Sequence, residues 1–259
     1  MSDFLDVLAK TARTTIDNDY YDRAQPVYGK RLSLRKAILE SQAVPVLAEI
    51  KSASPSAGLI RKDVDVGAVA AAMQRGGAVG LSVLTEPRQF SGSLEALAEA
   101  RRAVKIPILM KDIILSPVQV QAASKMGANA VLLIQALFDR GYSEKGLSEM
   151  ILGVHSLGLE VLLETHTEAE FHSAVQTDAD LVGVNNRDLG TLKVDLNVTS
   201  RILSNCGSSG KVVVSESGIN GPADVRLLRK SGVRAFLVGT AVMSADDVEE
   251  RVREFVGAR

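Results

Sequence analysis

The chain has 259 residues, of which 46% are apolar and 24% are charged, and its formal net charge is −1. This composition is that of a globular protein, and the balanced charge argues against nucleic-acid and membrane-surface binding, because both usually require a basic excess. The single cysteine excludes an internal disulfide, and the sequence shows neither a secretory signal nor 18 consecutive apolar residues. We therefore expect a reduced, cytoplasmic protein with no nucleic-acid or membrane partner.

The first 44 residues predict two short helices ahead of a repeating pattern. Apolar residues recur at helical spacing from Phe4 to Ala12 and again from Leu34 to Leu39, where Ser33 is a typical N-cap. The stretch between the two helices is polar and contains Pro26. We expect residues 1–44 to form a helical extension that packs on the rest of the chain, within a single domain of residues 1–259.

From residue 46 onward, short runs rich in Val, Ile and Leu alternate with helical patterns. The runs start 21 to 33 residues apart and do not alternate polar with apolar residues, which is typical of parallel strands covered on both faces. Asp65, Ser116 and Thr167 are plausible helix caps between them, and Thr167 with Glu170 predicts a capping box. The predicted strands are Val46–Ile50, Val79–Leu84, Pro107–Met110, Ala130–Ile134, Glu160–Leu163, Leu181–Val184, Lys211–Val214 and Ala235–Val238.

Eight strands alternating with helices imply right-handed crossovers and an α/β fold. A closed (β/α)8 barrel of the TIM type fits this count and length best. An open doubly wound sheet is the alternative, because periodicity alone does not show closure.

Polar residues interrupt the apolar runs at their C-terminal ends, where the active sites of such barrels lie. Glu49 and Lys51 end the first run and point the same way, because they are two residues apart on a strand. Lys111 ends the third run, Glu164 the fifth and Asn185 the sixth. Taken singly, these charges are as consistent with ion pairs at strand ends as with a site, and Asn185 is as consistent with a turn residue.

Glycine and hydroxyl residues follow the last two strands. Ser217 and Gly218 come after the seventh run, and Gly239 and Thr240 come after the eighth. These residue types let backbone N–H groups converge on an anion at the start of a helix, so the pattern favours a phosphate-bearing substrate over ordinary turns. The three histidines lack the spacing of a metal site, and the glycines form no nucleotide fingerprint. We therefore expect no metal, NAD or ATP.

Six segments in chain order carry a further signal: 45–56 (PVLAEIKSASPS), 84–93 (LTEPRQFSGS), 107–112 (PILMKD), 163–166 (LETH), 183–189 (GVNNRDL) and 214–219 (VSESGI). Together they resemble the indole-3-glycerol-phosphate synthase family, in which an N-terminal helical extension is also typical. The chain departs from the family pattern at Ile113, where many relatives carry an aromatic residue, and at Ser116, where an acid is frequent. Both departures concern the lining of the pocket.

The resemblance implies a carboxy-lyase of tryptophan biosynthesis that needs no cofactor. It would convert 1-(2-carboxyphenylamino)-1-deoxyribulose 5-phosphate to indole-3-glycerol phosphate, carbon dioxide and water. By similarity to the family, Lys111 is the general acid, Glu164 the acid–base partner in dehydration, and Glu49 the residue that holds the lysines and substrate in register. The substrate-binding residues implied are Lys51, Ser54, Phe90, Leu132, Asn185, Arg187 and Glu216, with Ile134 beside Phe90 and Leu132 in an apolar wall, and the phosphate-binding residues are Ser217, Gly218, Gly239 and Thr240.

A lysine is a useful acid near neutrality only if its neighbours lower its pKa, and a glutamate is a useful acid only if burial raises its own. We therefore expect close packing of Lys51 against Lys111 to lower the lysine pKa.

Two other functions fit parts of the pattern. A related phosphate-binding barrel such as phosphoribosylanthranilate isomerase would typically carry Cys or Asp at the first strand, where this chain has Glu49 and Lys51. An inactive scaffold would lack an ionisable group at the first, third or fifth strand, and none is missing. The sequence leaves open whether the chain is a monomer and whether it associates transiently with other enzymes of tryptophan synthesis.

Overall fold

Eight parallel strands close into a barrel in the computed structural model, which describes residues 3–27, 29–54, 58–62 and 64–259. Each strand pairs with its neighbours in sequence, and β1 pairs with β8 through Val46 and Phe236, which closes the ring. The closed barrel is thus confirmed, and the open doubly wound sheet is wrong. The strands are β1 Val46–Ile50, β2 Gly80–Leu84, β3 Ile108–Lys111, β4 Ala130–Ile134, β5 Glu160–Thr165, β6 Leu181–Asn185, β7 Val212–Glu216 and β8 Ala235–Val238.

The strands extend further toward their C-terminal ends than the apolar runs predict. β3 includes Lys111, β5 continues to Thr165 and β7 to Glu216. These polar residues remain in the ladder because each still pairs with a neighbouring strand; Glu164, for example, is in register with Gly183. The strand ends that carry charge are therefore as rigid as the apolar core below them.

Helices fill the connections between the strands and pack around the barrel. Asp65 accepts a hydrogen bond from the Ala68 N–H at 2.8 Å, as its capping role predicts. Thr167 accepts from the Glu170 N–H at 3.1 Å, but Glu170 bonds to the His166 N–H, so only half of the predicted capping box forms. The helices are α1 Phe4–Asp17, α2 Leu34–Glu40, α3 Val66–Arg75, α4 Leu94–Ala103, α5 Pro117–Lys125, α6 Gln135–Asp139, α7 Leu147–Ser156, α8 Glu168–Ala174, α9 Asn197–Cys206, α10 Pro222–Lys230, α11 Thr240–Met243 and α12 Val248–Val256.

The two N-terminal helices contact the barrel at different places. Leu5 and Leu8 of α1 are buried in one apolar cluster with residues inside the barrel. α2 lies at the N-terminal ends of the strands, where Ser33, its N-cap, donates to Glu160 at the start of β5. Tyr21, in a short 3₁₀ turn between the helices, donates a hydrogen bond to Asp112 at 3.0 Å. The extension thus reaches both ends of the strands.

Among the residues that the structure describes, no helix combines the length and the apolar composition of a segment that crosses a bilayer.

Candidate active site

A cavity of about 540 Å³ opens at the C-terminal ends of the strands. Side chains and loops from around the barrel line it, and Phe4 and Leu8 of α1 add an apolar edge. Active sites of (β/α)8 enzymes lie at this end, because the loops there vary without disturbing the barrel. All the predicted site residues line this cavity except Ser54, whose side chain lies outside the described part of the structure.

Four charged side chains form one layer at the base of the cavity. Glu49, Lys111, Glu164 and Glu216 come from β1, β3, β5 and β7 and all line the cavity. Alternate strands of such a barrel contribute their inward side chains to the same layer, which explains why these four residues meet. The sequence pattern, which places Glu49, Lys111 and Glu164 at the ends of the first, third and fifth strands, predicts their convergence once the barrel is closed.

Lys111 lies between two carboxylates. Its Nζ is 3.0 Å from Glu164 Oε2 and 2.8 Å from Glu216 Oε2. The carboxylate side chains are 4% and 1% exposed and that of Lys111 is 17% exposed, so water screens these ion pairs weakly. Lys51 makes a second pair, with its Nζ 2.9 Å from Glu49 Oε1.

The carboxylates decide the protonation of the layer. Burial alone would lower the pKa of Lys111, but Glu164, Glu216 and Glu49 raise it well above its ordinary value. Burial would likewise raise the pKa of Glu164, but the Lys111 ammonium and the His166 ring lower it. The expected lowering of the Lys111 pKa by close packing against Lys51 is therefore wrong, because Lys111 faces carboxylates and Lys51 is paired with Glu49.

Within the charged layer, burial raises the pKa of Glu216 to about 7, and the neighbouring Glu164 charge adds to the effect. Its Oε2 accepts from Lys111, while its buried Oε1 has no hydrogen-bond partner among the described residues. A Cβ at Gly183 of β6 would collide with this oxygen. The glycine thus gives Glu216 the room to reach Lys111.

Asn185 lines the cavity and also shapes a turn. Its Nδ2 donates to Glu164 Oε1 at 3.1 Å, and its Oδ1 accepts from the Arg187 N–H at 3.0 Å. It therefore orients the carboxylate and shapes the turn after β6. Arg187 lines the cavity, and its guanidinium donates to the Leu192 carbonyl at 2.9 Å.

The loops after β7 and β8 have the backbone of a compact anion site. Ser217 and Gly218 both have positive φ, +66° and +78°, a region that glycine adopts without strain and serine rarely adopts. Gly239 precedes Thr240, where α11 begins, and the first N–H groups of a helix have no partner within it. All four residues line the cavity.

Apolar residues form another part of the cavity wall. Phe90, Leu132 and Ile134 line it, as the resemblance implies. Glu86, which is 1% exposed, accepts hydrogen bonds from the Gln89 N–H at 2.6 Å and the Phe90 N–H at 3.1 Å. This buried carboxyl group holds the loop that presents the aromatic ring.

Sequence reasoning missed several residues of the site. The sequence pattern does not predict that Phe4, Leu8 and Glu86 line the cavity or that His166 lies beside Glu164. The detectable signal for Glu86 was an acidic residue two positions after an apolar run. For α1, the apolar stripe predicts that one face of the helix is buried, but it does not predict which part of the barrel this face contacts.

The family model described as indole-3-glycerol phosphate synthase matches residues 6–255. Among relatives of that name, the protein of Aromatoleum aromaticum is 45% identical over 82% of this chain and 79% of its own. The Neisseria gonorrhoeae protein is 46% identical over 80% and 77% of the two chains. The Desulforamulus reducens protein is 40% identical over 86% and 83%.

Solved structures match over most of the chain at low identity. Thiamine phosphate pyrophosphorylase from Pyrococcus furiosus has a TM-score of 0.60 and 19% identity, and covers 86% of this chain and 96% of its own. N-acetylmannosamine-6-phosphate 2-epimerase from Clostridium perfringens has a TM-score of 0.62 and 14% identity, and covers 83% and 93%. At such identities the likeness concerns the fold alone.

Proposed function

This chain belongs to the indole-3-glycerol phosphate synthase family, and we propose that the charged layer at the mouth of its barrel carries out that family's reaction. The protein is a carboxy-lyase of tryptophan biosynthesis. It closes the ring of 1-(2-carboxyphenylamino)-1-deoxyribulose 5-phosphate and releases carbon dioxide and water, which leaves indole-3-glycerol phosphate. The observation that carries the proposed site is Lys111 held between Glu164 and Glu216 in the cavity.

Binding fixes the substrate by its two ends. The phosphate is held by the backbone N–H groups after β7 and β8, at Ser217, Gly218, Gly239 and Thr240, with Lys51 close to Gly239. The aryl ring lies against Phe90, Leu132 and Ile134, and Ser54 and Arg187 contact the polar part of the substrate. Holding the aryl carbon close to the ketone carbon lowers the entropic cost of ring closure.

Lys111 acts as the general acid in ring closure. As the aryl carbon attacks the ketone carbon, the ketone oxygen gains negative charge and takes a proton from Nζ. The three carboxylates that raise the lysine pKa ensure that this proton is present at neutral pH. Loss of carbon dioxide then restores the aromatic ring.

Glu164 acts in the dehydration that follows. Its lowered pKa keeps it ionised, so it removes a carbon-bound proton as the hydroxyl group leaves. Asn185 orients it, and Glu49 holds Lys51 against the phosphate end of the cavity. Glu216, with a pKa of about 7, carries a proton over part of the neutral range and so donates a hydrogen bond to the substrate.

Supplying the carboxyphenylamino-deoxyribulose phosphate and following indole fluorescence tests the assignment. We expect Lys111→Ala and Glu164→Gln each to lower kcat by about 10²–10⁴-fold, the usual contribution of a general acid or base. Lys105→Ala is the matched control, because Lys105 is exposed and lies before β3 rather than at its end. Turnover equal to that of the parent in both site variants would overturn these roles.

The cytoplasmic location and the absence of a cofactor stay predictions from the sequence.

A further inference from the structure

His166 extends the charged layer away from the cavity. Its Nε2 lies 3.2 Å from Glu164 Oε1, and its Nδ1 lies 3.4 Å from Glu170 Oε2. The three side chains are 4%, 10% and 16% exposed in the order Glu164, His166, Glu170. They form a row that begins at the cavity and ends at the more exposed start of α8.

Glu170 is fixed in place by the backbone. Its Oε2 accepts from the His166 N–H at 2.8 Å, and its own N–H donates to the Thr167 hydroxyl at 3.1 Å. This arrangement is the incomplete capping box described above. Because Glu170 bonds to both the backbone and the ring of His166, it orients the imidazole toward Glu164.

The groups that face His166 are all acidic. Glu164 lies on β5, two residues before His166, Glu170 lies on α8, and Asp188 in the loop after β6 interacts with the ring through its charge. Burial alone would lower the pKa of His166, but Glu164 and Glu170 raise it to about 9. The ring is therefore an imidazolium at neutral pH, with a proton on each nitrogen.

The contact between His166 and Glu164 is close but not aligned. Nε2 makes no hydrogen bond of good geometry, although Glu164 Oε1 is within 3.2 Å. A small rotation of the ring would aim the N–H bond at the carboxylate. That rotation would bring the Nε2 proton into line for transfer to Glu164.

The proposed reaction requires a proton from outside the site. The substrate enters with an ionised carboxylate and leaves it as neutral carbon dioxide, so ring closure, decarboxylation and dehydration together consume one proton. Dehydration alone is balanced, because the leaving hydroxyl gains a proton and the ring carbon loses one. The proton that Lys111 gives to the ketone oxygen is therefore the one that solvent must replace.

Resting on this proposed function, we propose that His166 relays the replacement proton from solvent into the site. The Nε2–H bond breaks as an O–H bond forms on Glu164 Oε1, which leaves a neutral ring with its proton on Nδ1. Because Nε2 is buried, the ring then turns to bring this nitrogen to solvent, takes up a new proton there and turns back. Glu164 returns the proton to the neutral Lys111 amine, 3.0 Å from its other oxygen, after the carboxyl group rotates. His166 acts through Glu164, and Glu170 stabilises its charged form.

Replacing His166 with glutamine tests the relay, because glutamine still reaches both carboxylates but carries no exchangeable positive charge. We expect His166→Gln and His166→Ala each to lower kcat about tenfold with KM within about twofold. In His166→Ala, which leaves space for a small base, added imidazole should restore kcat in proportion to its concentration. His172→Gln, an exposed histidine on the same helix as Glu170, should match the parent with and without imidazole. A merely structural role for His166 would give a loss that imidazole does not repair.

A second variant separates the relay from the proposed function. Glu170→Gln removes the charge that stabilises the imidazolium, so the decline of kcat at alkaline pH should move to lower pH, and the ring titration measured by NMR should move with it. Glu168→Gln on the same helix is the matched control. Unchanged kcat in His166→Gln, or a loss without imidazole rescue in His166→Ala, would overturn the relay alone. Failure of the parent to form indole would overturn the proposed function and the relay together.

Discussion

Neighbours set the protonation of each side chain in the charged layer more than its residue type does. Glu164 and Glu216 are equally buried and both contact Lys111, yet the pKa of Glu164 is lowered while that of Glu216 is raised to about 7. The difference arises because Glu164 also faces His166 and Asn185, whereas Glu216 has one free oxygen above Gly183. In one cavity, Glu164 is thus ionised and able to accept a proton, whereas Glu216 is partly protonated near neutral pH and able to donate one.

Substitution of Gly239 tests whether the close packing around Glu49 and Lys51 matters for activity. A Cβ at this position would lie 2.5 Å from Glu49 Oε1 and 3.0 Å from Lys51 Nζ. Its φ is −112°, so alanine would meet no backbone strain and would act through space alone. We expect Gly239→Ala to lower kcat/KM about tenfold or more by separating the ion pair, since small misplacements of catalytic groups are costly. Steady-state kinetics measure this.

Gly146→Ala is the control for that substitution. A Cβ at Gly146 meets nothing within 4 Å, and its φ of −64° suits any residue. Its kcat/KM should equal that of the parent. Parent-like kinetics for Gly239→Ala would mean that the ion pair of Glu49 and Lys51 has no part in catalysis.

The charged residues of the site are predictable from sequence because each follows a strand whose end the apolar run marks. Their protonation is not predictable in the same way, since the pKa of Lys111 depends on which side chains the closed barrel brings within 3 Å. His166 illustrates the limit. A histidine after a strand says nothing about its partners until α8 places Glu170 beside the ring.

At the scale of elements, α1 has a part in both stability and binding. Leu5 and Leu8 belong to an apolar cluster with barrel-interior residues, and Leu8 with Phe4 also lines the cavity. Asp112, next to Lys111, accepts hydrogen bonds from Tyr21 in the segment after α1. We therefore propose that residues 1–259 act as one domain, with the extension as part of the site.

Leu8→Ala tests this double role. The side chain is 2% exposed, so its truncation should lower the free energy of unfolding by about 2–3 kcal/mol. Because Leu8 also forms part of the cavity edge, KM should rise several-fold as well. Denaturant unfolding and steady-state kinetics measure the two effects. Leu39→Ala on α2 is the control, because Leu39 is 42% exposed and its truncation should change neither the free energy of unfolding nor KM. An unchanged KM in Leu8→Ala would mean that α1 contributes to packing but not to substrate binding.

The elements themselves follow from the sequence to within a few residues, with identifiable exceptions. Strand starts follow the apolar runs to within one residue, because a strand covered on both faces is apolar over most of its length. The lengths are less well predicted, because β3, β5 and β7 continue into polar residues. The pattern does not predict the 3₁₀ turn at Tyr21–Arg23, because its one buried side chain, Tyr21, lies in a polar stretch of sequence. The capping box at Thr167 was half wrong, because Glu170 finds a better partner in His166.

For the whole molecule, the charged core predicts how stability depends on pH. Burial raises the pKa of Glu216 and of Asp112 to about 7, and the pKa of His166 is raised to about 9 by its acidic neighbours despite its burial. In the unfolded chain these groups release their protons near pH 4 and pH 6.5. Between about pH 5 and 9 the folded protein therefore holds more protons than the unfolded chain, and stability must fall as pH rises.

The opposite contribution comes from groups whose pKa the fold lowers. For Glu49 and Glu164 the stabilisation is present above the ordinary glutamate pKa and is lost only as pH falls below it. The two sets of groups thus act in separate pH ranges. Only the first set changes its charge near neutrality.

We therefore expect the Tm to fall by at least about 5 °C between pH 5.5 and pH 9, measured by calorimetry at constant ionic strength. His166→Gln should remove the part of this slope that lies between pH 6.5 and 9, because the unfolded histidine is neutral there while the folded one is charged. His172→Gln, which replaces an exposed histidine, should keep the parent slope. A Tm that stays level or rises over this range would contradict the prediction. It would show that Glu216, Asp112 and His166 do not hold the protons that their surroundings imply.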